Sequence, residues 1–207
     1  MGQIIKFPAQ ASKLGFKRAK KRAIATEQGQ DQLDLFPGPS AQILNFESGL
    51  NLFEQALMLD ERGDLKAADL YARAIEGHVS VADAWCNLGI IESKRDTVKA
   101  FDCFSSSLKH NPRHAEAHYN LANLYFEMND FRLAQLHYEM AAQVDPSFAN
   151  AFFNLALVQA VNNDFDSAVS ALNKYRELVS EEDGRLAENL LQELRKSLAA
   201  ARATGSR

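Results

Sequence analysis

Asp96, Asp130 and Asp164 stand 34 residues apart, and they do not recur alone. Ala100, Ala134 and Ala168 keep the same step, as do Phe104, Tyr138 and Leu172, and Pro112, Pro146 and Ser180. The tripeptides NLG (87–89), NLA (120–122) and NLA (154–156) recur at 33 and then 34, so one residue is missing between Asn87 and Asp96. A further step back by 33 reaches a weaker copy through Ala56, Ala67, Tyr71 and Val79. Self-similarity at one fixed period marks a chain built of stacked supersecondary units, because a single unit cannot bury its apolar face alone. The units are 49–81, 82–114, 115–148 and 149–182.

Each unit reads as two helices joined by a tight turn. In the third, Leu121, Leu124, Tyr125 and Met128 recur at helical spacing. The turns are ERGD, SKRD, EMND and VNND, whose Gly, Asn and Asp suit left-handed backbone or local hydrogen bonding. Pro112 and Pro146 fall between units, where a helix must stop. Ten Gly and five Pro in 207 residues are few, which favours helices over a turn-rich β fold.

With these positions in view, the chain resembles the tetratricopeptide repeat (TPR) family. That family has a period of 34, small residues at its eighth, twentieth and often twenty-seventh positions, an aromatic at the fourth and Pro at the thirty-second. Trp85, Gly89, Ala100, Phe104 and Pro112 fit, as do Ala122, Tyr125, Ala134, Tyr138, Ala141, Pro146, Phe152, Ala156 and Ala168. His118, Tyr175 and Ser180 depart from the pattern, and the first unit is the most degenerate. The resemblance covers residues 49–182 and implies an all-α, right-handed α-α superhelix.

A leucine stripe follows the repeats: Leu186, Leu190, Leu191, Leu194 and Leu198, with Glu188, Glu193, Arg195 and Lys196 opposite. A solenoid end needs a cover with a polar outer side, so 184–200 is expected as a capping helix, leaving a disordered tail at 201–207. The solenoid with its cap is then 46–200. Residues 1–45 show no sustained periodicity and are expected as a mostly disordered arm, with QILNF (42–46) as the stretch that could fold back onto the repeats.

In the resembled family the first helices line a concave groove. The resemblance puts Asn87, Asn120 and Asn154 on one groove position and Asn123 on another. A carboxamide offers donors and an acceptor together, so it can bond both groups of an extended peptide backbone without requiring a particular side chain. This is a candidate answer to why asparagines, poor residues for a helix interior, interrupt these helices. Around them Ile90, Tyr119, Phe126, Phe153 and Leu157, with Cys86, are expected to form an apolar floor. The competing use of the same amides is to fix the stacking of repeats. A Lys/Arg clamp for a terminal carboxylate, which some members of the family carry, is not expected, because Lys94 stands alone at its position.

Nothing in the sequence points to catalysis: no nucleophile motif, phosphate-cradling loop or paired-carboxylate signature stands out. His110, His114 and His118 are spaced by four, but Pro112 interrupts the first pair and no metal or cofactor is expected. No apolar run approaches a membrane span. Cys86 and Cys103 make neither a disulfide framework nor a zinc site, which fits a reducing cytoplasm. The expected protein is a non-enzymatic interaction scaffold holding a protein or peptide partner.

The arm gives the rival reading. Lys6, Lys13, Lys17, Arg18, Lys20, Lys21 and Arg22 precede any acid, and the remainder carries 16 basic against 27 acidic residues, a balance of −11. Such an arm can touch nucleic acid or an anionic surface, or lie on its own acidic body near Glu54, Asp60 and Glu61. Further on, QLDLF (Gln32, Leu33, Asp34, Leu35, Phe36) is similar to the pentapeptide by which bacterial replication and repair proteins bind the sliding clamp. The alternative function is a clamp-tethered or nucleic-acid-associated accessory factor.

Overall fold

The computed structural model describes residues 15–20 and 50–204. Within them the only regular elements are nine helices: α1 (Leu52–Glu61), α2 (Ala67–Glu76), α3 (Val81–Glu92), α4 (Thr97–His110), α5 (Ala115–Glu127), α6 (Phe131–Val144), α7 (Ala149–Val161), α8 (Phe165–Leu178) and α9 (Glu181–Thr204). They form four pairs in chain order, each packed on the next, with α9 against α8. This is an α-α superhelix.

The aspartates of the 34-residue step owe their recurrence to one task. Asp96, Asp130 and Asp164 each precede the second helix of their pair. Their carboxylates accept from the backbone N–H groups of Val98 and Lys99, of Leu133 and of Ser167, at 3.0–3.2 Å. An N-cap satisfies donors that the helix itself cannot. In the turns of the first, third and fourth units, Gly63, Asn129 and Asn163 have φ of 73°, 62° and 64°. The second turn, one residue short, has no left-handed residue among Ser93–Asp96.

The recurring small residues let paired helices close on one another. A Cβ added at Gly89 would stand 2.7 Å from Cε1 of Phe104, a ring buried between α3 and α4. Ala56, Ala122 and Ala156 are buried at the corresponding position. The aromatics fill the remaining space: Tyr71, Phe104, Tyr138 and Tyr175 are all fully buried on the second helices.

The terminal helix is longer than expected. It begins at Glu181 rather than 184, because Ser180 caps it, its hydroxyl accepting from Asp183 N–H at 3.3 Å. Glu181, Glu182 and Asp183 add favourable charge at the helix N-terminus. It continues through Thr204, past the expected end at 200, on an alanine-rich run of high helix propensity. Ala187, Leu190, Leu191 and Leu194 are buried in the core shared with Leu172 and Tyr175 of α8. Leu186 and Leu198 of the expected stripe lie outside the described side chains.

Candidate functional site: a first-helix groove holding residues 15–20

Residues 15–20 lie across the first helices of three repeats, held from both termini of each amide. At α5, the Lys17 N–H donates to Asn120 Oδ1 at 2.8 Å, and Asn120 Nδ2 donates to the Lys17 carbonyl at 2.9 Å. At α3, the Ala19 N–H donates to Asn87 Oδ1 at 2.8 Å, and Asn87 Nδ2 donates to the Ala19 carbonyl at 3.0 Å. One carboxamide can meet both backbone groups of one residue only where the chain is extended, since there N–H and C=O of a residue point the same way and those of its neighbours the other. The bonded residues are accordingly two apart. Residue number rises toward the first repeat, opposite to the order of the repeats.

Side chains add to this grip. Phe16 reaches Phe104 of α4 and stacks on it with centroids 5.9 Å apart. Arg18 forms a two-pronged ion pair with Asp60 of α1, Nε at 2.5 Å and Nη2 at 2.9 Å. The hydrogen bonds to Asp60 raise the Arg18 pKa further against the opposing pull of burial. Ala19 is 1% exposed and belongs to the core cluster of Cys86, Ile90, Ala100 and Phe104. Lys17 and Lys20 are exposed.

A second layer orients the gripping groups. Asn87 Nδ2 also donates to Tyr71 Oη at 3.1 Å, and Tyr71 Oη lies 3.4 Å from Asp60 Oδ2. Burial, with the nearby Asp60 charge, pushes the Tyr71 pKa well up, so the phenol stays neutral. Asn120 Nδ2 sits 3.4 Å from Cys86 Sγ, and burial drives the Cys86 thiol far from ionisation. Cys103, also buried, is pushed up to about 11 by desolvation.

The remaining residues expected in the groove divide. Asn154, in register with Asn87 and Asn120, turns its Nδ2 to Tyr119 Oη at 3.1 Å, with Asn123 Oδ1 and Tyr138 Oη each at 3.4 Å. Tyr138 donates to Asn123 Oδ1 at 2.6 Å. Asn154 Oδ1 and Asn123 Nδ2 are buried without a hydrogen-bond partner among the described residues. Tyr119 and Phe153, expected on the groove floor, are instead fully buried core residues, packed on Tyr138 and Phe148 and on Tyr175. Ile90 and Leu157 are also buried, and Phe126 is half-buried, edge-on to Phe131. Phe104 and Tyr71 are parts of the site that the sequence does not reveal, since both carry the periodic core pattern and nothing distinguishes them in it. Asp60 is marked in the sequence only by its charge.

The histidines have other work. His114 Nε2 donates to Asp83 at 2.9 Å and its Nδ1 accepts from Ala117 N–H at the start of α5. His118 and His137 face each other through their Nδ1 atoms at 3.0 Å, while His118 Nε2 donates to the Pro112 carbonyl. No cluster of three or more metal-ligating side chains occurs among the described residues, and no described helix is long and apolar enough to cross a membrane. Gln32, Leu33, Asp34, Leu35 and Phe36, and the QILNF stretch, lie outside the described residues.

A tetratricopeptide-repeat family model matches residues 115–148, the whole of the third unit. Among curated proteins the chain is similar to human general transcription factor 3C polypeptide 3, 28% identical over 147 residues, which is 65% of this chain and 16% of that one. It is similar also to mouse tetratricopeptide repeat protein 8, 34% identical over 100 residues, 48% of this chain and 19% of that one. The chain thus spans under a fifth of the length of these relatives. Among solved structures, the first TPR domain of Spaghetti (RPAP3), bound to the HSP90 peptide SRMEEVD, superposes with a TM-score of 0.52 at 21% identity, over 57% of this chain and 93% of that one.

Proposed function

The chain is a tetratricopeptide-repeat protein, and from that premise we propose that it is a non-enzymatic interaction module whose first-helix groove takes the extended backbone of a protein or peptide partner. The observation that carries this reading is the pair of carboxamide rungs, Asn87 and Asn120, each bonded to both backbone groups of one residue. Side-chain-independent contacts of this kind suit a groove that accepts chain as such, with Asp60 and the Phe104 ring adding selectivity. A peptide bound to the Spaghetti TPR domain is in keeping with it. The two free thiols, both buried, accord with a reducing compartment such as the cytoplasm as the place of work.

The test is amide hydrogen exchange on the intact chain and on Asn87→Ala/Asn120→Ala. Ala is the better helix former, so the helices keep their protection. The Lys17 and Ala19 amides, protected in the parent chain, exchange at open-chain rates in the variant. Fast exchange at both amides in the parent chain would overturn the reading, and so would protection that survives in the variant.

A further inference from the structure

Granted that the first-helix face is a peptide site, we infer that its partner is a basic extended peptide with an aromatic-x-Arg-small pattern, and that residues 16–19 are a placeholder which this peptide displaces. The chain's own segment reads out the chemistry of each subsite. The Phe104 ring offers a stacking surface, used by Phe16. Asp60, 6% exposed, is a carboxylate set in the protein with Arg18 as its cationic partner; a groove emptied of cation would leave that charge uncompensated. The Ala19 position is closed, at 1% exposure among Cys86, Ile90 and Phe104, so a larger side chain has no room there. Lys17 points to solvent and its position selects nothing.

A tethered segment competes at an effective concentration that reaches the millimolar range for short linkers, so a partner in trans must make more contacts than the arm does. The third rung supplies them. Asn154 lies at the next step of the ladder, its Oδ1 buried and without a hydrogen bond among the described residues. A partner whose backbone continues one rung beyond the Lys17 position meets an acceptor that the described part of the arm leaves unused.

The experiment titrates a labelled synthetic peptide of residues 13–22 (KLGFKRAKKR) into the full chain and into full-length Phe16→Ala/Arg18→Ala, read by fluorescence anisotropy, with circular dichroism confirming equal helicity. The variant binds the peptide at least about ten-fold more tightly than the parent chain does, because its own arm no longer competes. Peptides carrying Arg18→Glu or Ala19→Leu lose at least about ten-fold. Asn87→Ala/Asn120→Ala, added to the variant, abolishes binding. Equal affinity in parent and variant overturns the placeholder. Equal binding of the altered peptides, still lost on removing the asparagines, overturns the pattern while leaving the groove reading intact. Binding indifferent to the asparagines overturns the groove reading itself. A concentration-dependent dimer of the parent chain that Phe16→Ala/Arg18→Ala dissolves would make a second copy the occupant and overturn the proposal.

Discussion

At Gly89 one missing methyl group sets how closely α3 meets α4. Because a Cβ there would stand 2.7 Å from the Phe104 ring, Gly89→Ala forces a buried aromatic to move. Overpacking of this kind costs about 1–3 kcal/mol, more than the ~1 kcal/mol that Ala gains over Gly in a helix. Urea denaturation is expected to show a net loss of stability, and since Phe104 also carries Phe16, the arm loosens with it. An unchanged or raised midpoint would show that the ring accommodates the methyl. His137 gives a second residue-scale prediction. Burial, with His118 opposite, lowers its pKa from 6.5 to about 4, and burial lowers that of His118 too. Between about pH 6.5 and 4 the unfolded chain therefore binds more protons than the folded one, and stability falls on acidification across that window. His114 works the other way: burial opposes its charge, but the Asp83 carboxylate it bonds and the neighbouring Glu116 carboxylate prevail and raise its pKa, so its contribution is present at low pH and lost as pH rises. His137→Gln should lose less of its melting temperature between pH 7 and 5 than the parent chain does; equal losses would remove the histidine pair from the account. The asparagines were legible at this scale because three of them repeat at one position. What was not legible is that Asn154, among the described residues, bonds Tyr119 and Tyr138 and not backbone, and that Tyr119 and Phe153 are core. The helix α7 is buried over most of its circumference, from Phe153 to Ala160, and periodicity cannot assign faces where both are apolar.

Elements were legible where a physical requirement repeats. Three of the four second helices are capped by an aspartate, and in the third and fourth units the turn before it holds an Asn at positive φ, so Asp96, Asp130 and Asp164 and the Asn of EMND and VNND mark those boundaries in the sequence itself. The last helix has no sister unit to compare with, and its true start at Glu181 rested on a single serine in place of the family's proline. Its role as cover is open to a direct test. Removing 181–207 would bare the face of α8 on which Leu190, Leu191 and Leu194 rest, each such side chain contributing about 1.5–3 kcal/mol by burial. The truncated chain is expected to aggregate or to unfold with reduced cooperativity, followed by light scattering and thermal melts. Leu191→Ala in the full chain is the milder version, with an expected loss of about 2–5 kcal/mol. A truncated protein that stays monomeric and melts like the parent would show that α8 needs no cover.

On the scale of the whole molecule, seven basic residues before the first acid against a body of −11 made contact between arm and body one natural outcome. Charge alone could not give the register, because the contacts that fix it are to backbone, and backbone carries no sequence signal. The structure resolves this into two kinds of grip with different sensitivities. The Asn87 and Asn120 amides are neutral, so salt leaves them largely alone, whereas the Arg18–Asp60 pair is ionic but sheltered, with Asp60 6% exposed, and is screened less than a surface pair. Raising ionic strength should therefore release the arm only in part, while removing either grip should release it fully. Trypsin reports this, because a protease must pair with the substrate backbone along the edge that the asparagines occupy. Cleavage after Lys17 and Arg18 is expected to be slow in the parent chain and nearly as slow in high salt. In Asp60→Asn and in Asn87→Ala/Asn120→Ala it becomes fast, while cleavage after the exposed Arg113, between α4 and α5, stays constant as the internal standard. Rapid cutting at Lys17 and Arg18 in the parent chain would show the segment lying free of the groove for much of the time, and the ladder would then have to be understood as a device for stacking repeats.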